Sequence, residues 1–115
     1  MLKIDRLESG AVTVLRLEGD IDEDGMNQLR LALTYCLQDQ RSRLVVNLES
    51  VNFISYMGLG VLVERLRQAR ACNGDLKLTG INVYTDRLFR MAGVSKIFEI
   101  YKTENQAIQT YREAA

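Results

Sequence analysis

The sequence predicts an α/β domain: a mixed sheet of four or five strands, with about four helices mainly against one face. Three observations carry this. Two strand-like segments at the start are separated by a short glycine turn, Glu8-Ser9-Gly10, the pattern of an antiparallel hairpin. Apolar segments then alternate with stretches whose apolar residues recur every three or four positions, an order that favours parallel strands joined by helical crossovers. At 115 residues, 47% of them hydrophobic, the chain fits one domain over residues 1–115 with a single core.

The hairpin spans residues 2–7 and 11–18. Its second arm, Ala11-Val12-Thr13-Val14-Leu15-Arg16-Leu17, is β-branched and apolar. Gly19-Asp20-Ile21-Asp22 closes it, and Asp22 or Asp24 caps the next helix by accepting its free N–H groups. That helix runs to about Asp39, with Met26, Leu29, Leu33, Cys36 and Leu37 as its apolar stripe. Leu44 to Leu48 is almost wholly apolar, as in a strand buried on both faces. A second helix follows Gly58. It buries Leu59, Leu62, Val63, Leu66 and Ala69 and turns Glu64, Arg65, Arg67, Gln68 and Arg70 to solvent, until Asn73-Gly74 stops it. Leu76-Lys77-Leu78-Thr79 is a short strand. Thr85 or Asp86 caps a short helix through Leu88, Met91 and Ala92, ended by Gly93. Lys96 to Ile100 is the last strand. Thr103-x-x-Gln106 is a capping box for a terminal helix carrying Ala107, Ile108 and Tyr111.

Composition narrows the function classes. Fifteen Lys and Arg balance fifteen Asp and Glu, so no net charge draws the chain to nucleic acid or an anionic membrane. No apolar run approaches the ~20 residues of a membrane span. The first residues, Met-Leu-Lys-Ile-Asp, lack the apolar core of a secretory signal, and a cytoplasmic location is expected. Histidine is absent, which removes the commonest general base and transition-metal ligand and excludes histidine-dependent triads. Cys36 and Cys72 fall in helices without metal-ligand spacing and are expected to be reduced and mostly buried. Gly58 and Gly60 are not a dinucleotide fingerprint, because the G-x-G-x-x-G pattern breaks at Val63. Instead they are expected to let the helix start pack closely on the sheet. The chain is expected not to be an enzyme and to use no metal or cofactor.

Function concentrates in Val51 to Gly60. A helix beginning there points free N–H groups and a partial positive charge outward, a natural seat for an anion or a phosphorylated side chain. The residue before Gly58 is Met57, which has no hydroxyl to phosphorylate.

Several segments together resemble the STAS domain, the fold of bacterial anti-sigma-factor antagonists. They are Leu17-Glu18-Gly19-Asp20-Ile21-Asp22, Val45 to Ile54, Gly58-Leu59-Gly60-Val61-Leu62, Leu76 to Gly80, and Met91-Ala92-Gly93-Val94-Ser95-Lys96-Ile97-Phe98. Their joint order and spacing, over nearly the whole chain, carry the resemblance. It implies a protein-binding regulatory module whose partner is an anti-sigma factor that is also a serine kinase. In the family, the segment before Gly-Leu-Gly typically reads Asp-Ser-Ser, and the second serine is phosphorylated by that partner. Here Ser55 stands at the Asp position, Tyr56 at the first serine and Met57 at the phosphoacceptor. Asn47 replaces the family's strand aspartate, while Asp20 and Asp22 match its acidic pair.

A phosphate adds about −1.5 to −2 charges at neutral pH, so beside Asp20 and Asp22 it would repel acidic groups and release a docked partner. That cycle cannot run at Met57. The expected partner surface is Asp20, Asp22, Ser55, Tyr56, Met57 and Gly58. Met57 is either a partner contact or a gap-filler against the sheet edge. Ser55 reads first as a helix cap and second as a displaced phosphoacceptor. Tyr56 reads first as an interface aromatic. Asp20 and Asp22 read as loop, cap or docking residues rather than an acid–base pair. The alternative reading is a cytosolic STAS subunit of a membrane transporter complex for lipids or anions.

Overall fold

A computed structural model describes residues 1–114. In chain order its elements are β1 (Lys3–Ser9), β2 (Val12–Ile21), α1 (Glu23–Gln38), β3 (Arg43–Ile54), α2 (Tyr56–Ala71), β4 (Asp75–Thr79), α3 (Val83–Met91), β5 (Ile100–Tyr101) and α4 (Glu104–Glu113). The strands form one sheet in the order β1-β2-β3-β4-β5. The β1–β2 pair is antiparallel and the later pairs are parallel. The expected mixed sheet is therefore present with five strands.

Side chains alternate across a strand with period two, and this sorts the core. Leu15, Leu17, Leu44, Val46, Leu48, Leu76 and Leu78 face one side, where α1, α2 and α3 cover them. Val12, Val14 and Val45 face the other, where Ala107 and Tyr111 of α4 pack. Three helices on one face and one on the other agree with the expected arrangement.

The smaller core is stitched by polar contacts. The Tyr111 hydroxyl accepts from the Leu44 N–H at 3.1 Å and donates to the Leu44 carbonyl at 2.7 Å. Burial raises the phenol far above its ordinary range, so it stays a donor. Lys77 is only 5% exposed. Its ammonium donates to Thr110 Oγ1 at 2.7 Å, lies 4.1 Å from the Tyr111 ring centre and sits 3.5 Å from Glu99. Those partners are what a buried charge requires. Arg16 forks onto Glu104 at 2.8 and 2.9 Å, and Asn47 Nδ2 donates to the same carboxylate at 2.6 Å. An aspartate at 47 would face Glu104 with like charge; the amide donates to it instead.

Five local expectations are corrected. The strand predicted over 44–48 continues to Ile54, because β2 is long enough to pair with it as far as Ile21 against Ile54. The last strand is Ile100–Tyr101, not Lys96 to Ile100. Phe98 leaves the sheet to pack in the core against Phe89, ring centres 5.5 Å apart. The cap of α3 is Asn82, whose Oδ1 accepts from the Thr85 N–H at 2.8 Å; Thr85 is buried and Asp86 pairs with Arg90. The helix packs through Thr85, Leu88, Phe89 and Ala92, which puts Met91 on its outer face, 83% exposed. Arg65 does not face solvent: it is 8% exposed and donates to Glu64, Gln68 and, at 3.0 Å, Thr34 of α1. Cys36 is buried, whereas Cys72 is exposed at the end of α2.

Two outcomes follow from the α4 contacts. Tyr111→Phe leaves the buried Leu44 N–H and carbonyl without their phenolic partner, and is expected to cost about 1–3 kcal/mol in urea unfolding. The Arg16 hydrogen bonds, with that of Asn47, hold the Glu104 carboxyl below its ordinary value. The stability it contributes is full above the ordinary carboxylate range and is lost as pH falls through the lowered folded value. Glu104→Gln is expected to flatten the acid limb of the stability curve, measured from about pH 7 to pH 2.

Candidate functional site

The parallel register of β2 and β3 builds the site. Asp20 stands beside Phe53 and Ile21 beside Ile54, and the Ser55 N–H donates to the Ile21 carbonyl at 2.9 Å. The two strands therefore end together, and each passes into a helix at the same edge of the sheet. Asp22 caps α1, its Oδ1 accepting from the Gly25 N–H at 2.8 Å. Of the two acids expected to cap this helix, Asp22 does so. Ser55 caps α2, its Oγ accepting from the Gly58 N–H at 3.0 Å. Asn82 starts α3 at this edge too, with its side-chain amide 3.5 Å from the Val51 carbonyl.

The segment expected to be a loop is thus strand up to Ile54 and helix from Tyr56, with Ser55 alone between them. Met57 lies in the first turn of α2 and is 70% exposed; Tyr56 is 66% exposed. Met57 is therefore not a gap-filler. Asp20, Asp22 and Ser55 are half-buried. Gly58 takes the packing role expected of it and is buried, so it lies beneath the expected partner surface instead of on it. A Cβ there would stand 2.8 Å from Ile21 Cγ2 and 3.2 Å from Ile54 Cγ1, so glycine lets the helix start rest on the two strand ends. Gly60 does not serve packing in this way: a Cβ there meets nothing within 4 Å.

The structure adds residues that sequence reasoning missed. Phe53, Val83 and Tyr84 are exposed large side chains in the segments that supply this edge. Placing the α3 cap at Thr85 or Asp86 hid the last two; a cap at Asn82 puts them in the first turn. The edge is also one-sided in charge. Residues 19–25, 49–60 and 79–86 hold Asp20, Asp22, Glu23, Asp24, Glu49 and Asp86 and no Lys or Arg. Of these, Asp86 is paired with Arg90. A neutral chain therefore presents an acidic rim around exposed aromatic and thioether side chains, which suits contact with another macromolecule.

Fold and edge together define a small mixed α/β domain that exposes aromatic and thioether side chains at the carboxyl ends of parallel strands. The chain belongs to the STAS domain family, whose family model matches residues 3–107. It is 27% identical over 108 residues to an anti-sigma F factor antagonist of Paenibacillus polymyxa, covering 93% of this chain and 92% of the relative. It is also 27% identical over 86 residues to the anti-sigma-B factor antagonist of Staphylococcus aureus, covering 75% of this chain and 80% of that one. Among solved structures, unphosphorylated SpoIIAA, an anti-sigma factor antagonist, superposes with a TM-score of 0.84 at 21% identity, covering 96% and 97% of the two chains. An anti-sigma factor antagonist from Mycobacterium paratuberculosis gives 0.88 at 23% identity, with 97% and 95% covered. At these identities the two structures speak for the fold.

The cap at residue 55 is testable on its own. Ser55→Ala is expected to lower stability by about 1 kcal/mol, while Ser55→Asp, which restores a capping oxygen, stays within a few tenths. Urea unfolding reads both.

Proposed function

We propose that this protein is a cytoplasmic regulatory module that acts as an anti-sigma-factor antagonist by binding an anti-sigma factor that is also a serine kinase. Docking uses Asp20, Asp22, Ser55, Tyr56 and Met57, with Gly58 shaping the surface from beneath. Met57 occupies the phosphoacceptor position, so phosphorylation cannot release the partner there. The observation that carries this reading is the 70% exposure of Met57 in the first turn of α2, on the edge that bears Asp20 and Asp22. Names of the relatives support the class of partner.

The physical argument is one of charge. A phosphoserine at 57 would bring a dianion to an edge that already carries carboxylates, and would raise the cost of docking. A thioether brings no charge and offers a flexible apolar contact. The complex is then insensitive to kinase activity at 57. Ser55, whose hydroxyl accepts the Gly58 N–H, and Tyr56 are the residues left within the segment for a phosphate.

The test mixes the purified protein with the anti-sigma kinases of its host, with and without ATP, and maps phosphosites by mass spectrometry. A stable complex that survives ATP is expected for the wild type. Met57→Ser is expected to become phosphorylated and to be released. Absence of a complex with every such kinase, under either condition, would sink the proposal. Phosphate on Ser55 or Tyr56 with release of the wild-type protein would replace ATP-insensitive binding with a switch moved by one or two residues.

A further inference from the structure

Position 60 has no structural need for glycine. It lies inside α2, takes no left-handed backbone conformation, and a Cβ there would touch nothing within 4 Å. Glycine inside a helix is destabilising relative to alanine, because the unfolded chain has more freedom to lose. Gly60 therefore weakens α2 without any packing gain among the described residues. It follows Met57 by three residues and Tyr56 by four, so all three share one helix face. Beside it runs a groove of about 480 Å³ between α2 and the segment after α3, lined by Tyr56, Val63, Ala92 and Val94, with Glu64 and Arg67 further along α2. Met91, 83% exposed, directly precedes that second wall in the chain.

Within the groove Glu64 and Arg67 offset each other, so charge discriminates only at the end where α2 begins. The edge at which α2 begins carries Asp20, Asp22, Glu23 and Asp24, and none of residues 19–25 or 49–60 is Lys or Arg. An acidic partner surface is repelled from such an edge and a basic one is drawn to it.

We propose that the groove beside Gly60 receives an apolar side chain of the anti-sigma factor, from a part of its surface flanked by Lys or Arg, and that the bare position 60 lets the partner approach α2 closely. This rests on the protein-binding reading above and adds where the partner's anchor sits. Buried apolar anchors in pockets carry most of the energy of such contacts, so filling the pocket from this side blocks docking.

The experiment compares wild type, Gly60→Ala and Gly60→Leu for thermal stability and for binding to a purified host anti-sigma factor by titration calorimetry. Both variants are expected to raise Tm, by about 3–6 °C. Gly60→Leu is expected to weaken binding at least ~tenfold and Gly60→Ala by less, although both are more stable. Wild-type affinity is expected to fall as salt is raised from about 50 to 300 mM. Binding by a folded Gly60→Leu within about twofold of wild type overturns the groove and leaves the function standing. Should Gly60→Leu fail to fold, unchanged binding by Gly60→Ala overturns the groove in its place. An affinity independent of salt overturns the basic rim. A wild-type protein that binds none of the host's anti-sigma factors overturns both this inference and the function it rests on.

Discussion

Most of this molecule hangs on one register: β2 and β3 run parallel and finish side by side. The Ser55 N–H on the Ile21 carbonyl, at 2.9 Å, marks the place where the two strands stop. A shift by one residue would turn every inward side chain of β3 outward, and the alternation of Leu44, Val45 and Val46 between two cores resists that. Once the strand ends are fixed, α1 and α2 must both start at the same edge. Their caps, Asp22 and Ser55, and the exposed side chains beside them follow from that placement.

The two faces of the sheet are held differently. Against α1 to α3 the contact is mostly apolar, and the buried Arg65 ties α2 to α1 through Thr34. Against α4 the apolar core is small, and polar groups take a larger share. Tyr111 holds Leu44, Lys77 lies under Tyr111, and Arg16 with Asn47 grips Glu104 at the start of the helix. Polar contacts of this kind are directional and specify one seating of the helix, where an apolar patch alone would tolerate several.

The architecture was legible in the sequence because period and punctuation agree with each other. The hairpin, the helix stripes, Asn73 in a left-handed conformation at the end of α2, and the capping box at Thr103 and Gln106 all stand where the local chemistry puts them. Boundaries failed where long-range contacts decide. Nothing near residue 98 says that Phe98 leaves the sheet for Phe89, and nothing near residue 65 says that an arginine is buried against Thr34. At the candidate site, Asp20, Asp22, Ser55 and Met57 were readable from the family pattern and from helix-start chemistry. Exposure was not. It depends on how α2 and α3 sit on the strand ends, which exposes Val83 and Tyr84 and puts Gly58, a packing residue as expected, under the surface and not on it.

Four consecutive residues at the start of α2 divide their duties sharply. Ser55 carries a cap, Gly58 leaves no space for a side chain, and Tyr56 and Met57 between them point into solvent. Substitution at 55 or 58 is felt by the whole domain, whereas 57 can change from one polar or apolar residue to another with little effect on folding. Such a position is free to drift under selection for what it contacts, with the scaffold neither helping nor resisting. The family's fold can therefore outlast the loss, gain or relocation of whatever chemistry its exposed helix start performs.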